Sequence, residues 1–89
     1  MKAIVSVIGK DRKGIIAKIS TLLAAQNINV EDISQTLLQE YFTMIMLVDI
    51  SQSAMKIGEL KELLKSEGEK IGMAINIQHQ EIFDVMHKI

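Results

Sequence analysis

Two stretches of this chain are apolar at odd and even positions alike: AIVSVI, from Ala3 to Ile8, and MIMLV, from Met44 to Val48. Side chains along a β-strand alternate between faces, so these runs read as strands with apolar groups on both sides. A sheet built around them has two apolar faces. Each must be covered by other parts of the chain or by another copy. Ser6 is the one polar member of the first run, which reads as a central strand buried on both faces.

The elements around these strands follow a definite order. After the charged corner at Lys10–Lys13 the period changes, and Ile15, Ile19, Leu22 and Leu23 fall on one helical stripe. The stretch AAQN ends that helix, with Asn27 suited to a left-handed cap. In INVEDISQTLLQ, Ile28 and Val30 share one parity while Ile33, Gln35 and Leu37 take the other, which predicts a bulge or kink near Glu31 and Asp32. EYFTMIMLVDI follows at once, so strands two and three form a hairpin turning near Gln39 and Glu40. Ser51 or Ser53 is placed to cap a second helix with Ile57, Leu60 and Leu64 on its stripe, ending near Gly68. MAINIQH reads as a fourth strand. In the tail, Ile82, Phe83, Met86 and Ile89 recur at helical spacing.

The order is β-α-β-β-α-β plus a short C-terminal helix, the split βαβ pattern. The predicted class is α+β: a ferredoxin-like sandwich, its four-stranded antiparallel sheet carrying both helices on one face. Residues 1–79 form the domain, and residues 80–89 an amphipathic helix packing on the domain or on a dimer partner. With helices on one face only, either Ile45 and Leu47 or Met44, Met46 and Val48 would face water in a monomer. Apolar patches of that size mark interfaces. Two coverings stand open, a homodimer or the C-terminal helix folding over the bare face.

Composition narrows the function. At 89 residues there is room for one domain, and without cysteine or proline the core is stapled by no disulfide and no turn is fixed by a ring. Ten basic against eleven acidic residues argue against a nucleic-acid binder, which needs an excess of cations facing phosphates. No apolar run approaches a membrane span and no signal-peptide pattern opens the chain, so a cytoplasmic protein is expected. No thiolate site for a cluster or metal is available, and stacking aromatics for RNA are confined to Tyr41 and Phe42 on one strand. His79 and His87 sit on different elements, with Asp84 one turn before His87, and these residues read better as a solvated polar face than as a metal site. No nucleophile–base set stands out, so neither an enzyme nor a cofactor is expected.

The first corner remains. Gly9 and Gly14 bracket Lys10, Asp11, Arg12 and Lys13 where the first helix opens. Unpaired N–H groups and the helix dipole favour an anion there, and the cations add to it. Asp11 would repel a simple anion, whereas a zwitterion satisfies both, its carboxylate on the amides and its ammonium on Asp11. The alternative is that Asp11 merely caps the helix while the cations are solvated.

KDRKGIIAKIS followed by QNINVEDI resembles the ACT domain, a small ligand-sensing module. Asp11, Arg12, Gly14 and Ile15 match its loop and helix start, and Ile28, Asn29 and Val30 match the aliphatic-Asn-aliphatic triplet opening its second strand. The whole chain, with DISQTLLQEYFTMIMLV and IFDVMHKI, is similar to the stand-alone UPF0237 group of ACT proteins. The resemblance implies pairing of domains and an amino-acid site at the interface, near the first loop and strand two. It makes Asp11, Arg12, Gly14, Ile15, Asn29 and Val30 the candidate ligand-binding residues. In serine-sensing members a ligand-contacting histidine aligns with Gly9, and a proline is usual at Lys13, so this loop departs from the serine-sensing pattern at both positions. Most ACT domains are joined to the protein they regulate; here the expected partner is a separate, unidentified protein. The expected function is a homodimeric regulatory module binding an amino acid or similar small metabolite. The alternative is a constitutive assembly module without ligand.

Overall fold

The computed structural model describes residues 1–10 and 13–81. Four strands, β1 (Lys2–Lys10), β2 (Asn29–Leu38), β3 (Tyr41–Asp49) and β4 (Met73–His79), alternate with α1 (Ile15–Ala25) and α2 (Ile57–Lys70) in the order β1-α1-β2-β3-α2-β4. The sheet runs β2-β3-β1-β4 with every neighbouring pair antiparallel, so the two doubly apolar strands occupy its centre.

Alternation divides the sheet cleanly. Ala3, Val5 and Val7 of β1, Met44, Met46 and Val48 of β3, and Met73, Ile75 and Ile77 of β4 point into one core with Ile15, Ile19 and Leu23 of α1 and Leu60 and Leu64 of α2. The opposite, open face carries Ile4, Ser6 and Ile8 beside Thr43, Ile45, Asn76 and Gln78. Of the two alternatives for β3, then, Met44, Met46 and Val48 are buried, while Ile45 is 38% exposed on the open side. β1 is not buried on both faces along its full length: Ile4 is 9% exposed, but Ile8, at the other end of the same row, is 51% exposed.

The parity switch in β2 is a bulge. Val30 pairs with Val48 and Asp32 with Leu47, leaving Glu31 as the extra residue. That one residue brings Val30, Ile33, Gln35 and Leu37 opposite Val48, Met46, Met44 and Phe42, all on the helix side. The β2–β3 hairpin closes in two residues, with Gln39 at φ 56°, and Asn27 takes φ 57° at the end of α1.

Helix α2 differs from expectation at both ends. Its N-cap is Lys56, whose backbone N–H donates to Glu59 Oε1 at 3.0 Å. Ser51 and Ser53 lie in the preceding turns instead: Ser51 N–H donates to Asp49 Oδ1 and Met55 N–H to Ser53 Oγ. Gly68 lies inside the helix rather than ending it, at a point where a Cβ would come within 2.6 Å of the Met73 carbonyl oxygen. The chain reverses at Gly72, φ 73°. Gln80 and Glu81 are helical; the rest of the C-terminal helix expected over 80–89 lies outside the described residues.

Candidate functional site

The turn from β1 into α1 is made by Gly14, which caps the helix at φ 81°, a left-handed conformation natural to glycine. Lys18 N–H donates the first intrahelical bond, to the Gly14 carbonyl at 3.1 Å. The N–H groups of Ile15, Ile16 and Ala17 are therefore without helical partners and carry the positive end of the helix dipole. A Cβ added at Gly14 would meet none of the described residues beyond its chain neighbours within 4 Å. The Ile15 side chain is core, 3% exposed, so this residue has only its backbone to offer. Lys10 and Lys13 are exposed beside the turn. Asp11 and Arg12 lie outside the described residues.

Gly9, the other glycine bracketing the charged corner, belongs to the strand and not to the turn. It sits within β1, paired with Phe42 on one side and Met73 on the other. A Cβ there would meet Met73 Sδ at 2.5 Å and the Gly72 carbonyl oxygen at 2.8 Å. Close approach of β1 to the start of β4 leaves no room for a side chain. A histidine has no place at this position.

Asn29 and Val30 open β2, but at the other end of the sheet. Asn29 pairs with Asp49, which pairs in turn with Lys2 at the beginning of β1, whereas Lys10 at its end pairs with Tyr41. Eight residue steps along β3 separate those two rows, roughly 27 Å at strand rise. One chain thus brings Gly14 and Ile15 together and Asn29 and Val30 together, and holds the two pairs apart. The topology demands it: α1 carries the chain from one end of the sheet to the other before β2 begins.

Around Asn29 the surface is polar. Asn27, Asn29 and Gln52 line a shallow cleft of about 540 Å³ with Ala24 and Ile28. Nearby, Lys2 Nζ donates to the Glu31 carboxylate across β3, and the N-terminal ammonium lies 3.5 Å from Asp49 Oδ1. Hydrogen bonds from the Ser51 backbone and side chain lower the Asp49 pKa from 3.8 to about 2, with the N-terminal charge adding to them. No three His, Asp or Glu side chains among the described residues group as a metal site. No helix among them is long and apolar enough to cross a membrane.

The sequence reading missed the state of the β2 edge. Every residue from Glu31 to Leu38 is exposed, and Ile33 and Leu37 are 50% and 59% exposed although they lie on the helix side of the sheet. The available signal was their parity: with the bulge, both apolar groups line up on one face of an edge strand.

Comparison with known proteins agrees with this architecture. The ACT domain family's profile matches residues 2–78. A UPF0237 protein of Clostridium acetobutylicum is 52% identical over 89 residues, the full length of both chains. The structure of an ACT domain protein from Streptococcus pneumoniae superposes with a TM-score of 0.83 at 42% identity, covering 94% of each chain. A formyltetrahydrofolate deformylase from Pseudomonas syringae shares the fold over 88% of this chain and 27% of its own, with TM-score 0.79 and 22% identity.

Proposed function

Because this chain belongs to the ACT domain family, whose members are commonly regulatory small-molecule-binding modules, we propose that it is a homodimeric sensor of an amino acid or similar metabolite. Its output goes to a separate partner protein. The observation that carries the reading is the separation of the two candidate half-sites, together with the bare β2 edge between them. Two copies joined antiparallel through β2, about a two-fold axis near Ser34, bring the Asn29 end of one against the Gly14 end of the other. The same union covers Ile33 and Leu37 of both copies.

In such a site the N–H groups of Ile15, Ile16 and Ala17, which have no acceptor within the helix, receive the ligand carboxylate, as helix N-termini do. Arg12 and the neighbouring lysines supply positive charge. Asp11 from the same copy accepts from the ammonium. Asn29 and the Val30 backbone of the other copy close the far wall and read the ligand side chain. Gly9, with no room for a histidine, directs the choice away from serine. Binding at the seam between copies favours one dimer geometry over others, and that is the signal a partner can read.

The test uses subunit mixing. A thermal-shift screen of the common amino acids first finds the ligand. Asp11→Ala and Asn29→Ala homodimers should each lose the shift, while a mixed dimer regains one intact site of two. A ligand that shifts the wild type but gives no recovery on mixing rejects the shared site. If no amino acid produces a shift at millimolar concentration and Asp11→Ala keeps its partner, the chain is a constitutive assembly module.

A further inference from the structure

The sheet has a second edge, β4, built unlike the first. Among the described residues its outer side has no neighbouring strand. Alternate residues therefore turn their N–H and C=O groups outward without sheet partners there. Natural edges are blunted by charge, proline or a bulge. The β2 edge has its bulge at Glu31. By contrast MAINIQ, from Met73 to Gln78, holds no Lys, Arg, Asp, Glu or Pro, and its register with β1 runs unbroken to His79.

A cavity of about 710 Å³ follows this edge, and both layers of the fold contribute to it. Lys65 and Glu69 stand on the α2 side, while Ser6 and Ile8 of β1 lie on the open side beside Asn76 and Ala74. Ala74 pairs with Ile8, and its short side chain leaves that isoleucine 51% exposed. Lys65 and Glu69 are exposed and take part in none of the ion pairs formed among the described residues. Four residues of helix advance about 6 Å, and two residues of strand about 6.7 Å. These two charges therefore stand at the spacing of same-face side chains on a strand laid against β4.

We infer that β4 takes up an extended segment of another protein, paired antiparallel and carrying an acidic, an apolar and a basic residue in succession. Gly68 stands over Met73 and Ile75, and the chain turns from α2 into β4 at Gly72. Glu69 is thus on the Met73 side and Lys65 one helical turn farther along the strand. The acidic residue, opposite Ile75, points to the helix side and meets Lys65. The basic residue, opposite Met73, meets Glu69. Between them the apolar residue, opposite Ala74, points to the open side and reaches Ile8. Main-chain hydrogen bonds hold the segment, and these three side chains select it.

A second copy is the competing occupant. The inference rests on the proposed dimer in one respect, that β2 is the edge joining copies. Pairing copies through β4 as well would add sheet to sheet without closing, whereas soluble oligomers close on themselves. The segment therefore comes from a different chain.

The probe is the acetylated and amidated peptide Thr-Thr-Glu-Val-Lys-Thr-Thr, titrated into the full chain and followed by backbone amide NMR shifts. The shifts should centre on residues 73–77. Exchanging Glu and Lys in the peptide should weaken binding at least about fivefold, and in Lys65→Glu/Glu69→Lys that preference should reverse. Replacing the central valine by aspartate should weaken binding about tenfold. A preference unmoved by the charge exchange, shifts confined to β2, or no shift at millimolar peptide would each overturn the inference. So would a Lys65→Glu/Glu69→Lys variant of lower oligomeric state in light scattering, since β4 would then join copies. A wild type that binds the peptide at β4 yet scatters as a monomer would refute the dimer and uphold this site. A dimer whose β4 ignores the peptide would do the reverse.

Discussion

Gly68 and Met73 touch backbone to backbone: a Cβ on the glycine would stand 2.6 Å from the Met73 carbonyl oxygen and 2.9 Å from Ile75 Cγ1. Helix α2 therefore rests on β4 without a side chain between them, which sets how closely the helix layer approaches the sheet.

This contact reverses the usual effect of replacing a helical glycine. Gly58, near the start of the same helix, has nothing within 4 Å of its absent Cβ. Gly58→Ala should stabilise by about 0.5–1 kcal/mol through the unfolded state. Gly68→Ala should destabilise by about 1–3 kcal/mol, because overpacking against backbone outweighs the propensity gain. Urea midpoints of the two variants check the opposite signs.

Gly9 makes the same demand on the sheet. Gly9→Ala should lower stability by roughly 1–3 kcal/mol, and Gly9→His should cost still more, since the strand has no space for the ring. Restoring the histidine of serine-sensing relatives should therefore give an unstable protein rather than a serine sensor. A stable, serine-responsive Gly9→His variant would refute the packing account.

Asp49 gives the acid limb of stability a definite place. Its folded pKa, about 2, lies below the unfolded value near 3.8, so its contribution is complete above about pH 4 and is lost as pH falls towards 2. Asp49→Asn removes that titration while keeping an acceptor for the Ser51 N–H. The stability gap between wild type and variant should narrow steadily between pH 4 and pH 2 in chemical denaturation. A gap independent of pH would assign the acid sensitivity elsewhere.

The β2 edge is tested by charge. Ile33→Asp/Leu37→Asp alters two exposed side chains outside the core and should leave the circular dichroism spectrum and the fold intact. Light scattering should show the wild type as a dimer and the variant as a monomer, with ligand response lost in parallel. A variant that stays dimeric would move the association to another surface.

Much of the fold was legible in the sequence. Apolar residues at both parities in AIVSVI and MIMLV identified the central strands, and the change of parity between Val30 and Ile33 located the bulge within a residue of Glu31. The start of α2 was not legible, because serine hydroxyls and carboxylates compete to cap whichever turn comes first. Ser53 serves the Met55 amide, and Glu59 reaches back to Lys56. Gly68 looked like a terminator because local sequence does not reveal that β4 crosses the helix so closely. The candidate site was legible as two motifs but not as two places. Their separation follows only once α1 is seen to carry the chain across the sheet between Gly14 and Asn29.

Glu31 has one consequence that concerns strangers rather than the chain itself. An exposed edge strand is a template on which any extended peptide can zip, and a long even edge invites uncontrolled growth. The extra residue breaks the template's rhythm, leaving an unbroken ladder only from Asp32 to Leu38. A foreign strand that starts on one side of Glu31 meets the wrong spacing on the other. The edge thus works like a keyway with one offset ward, open to a key cut to match and short enough to stall the rest.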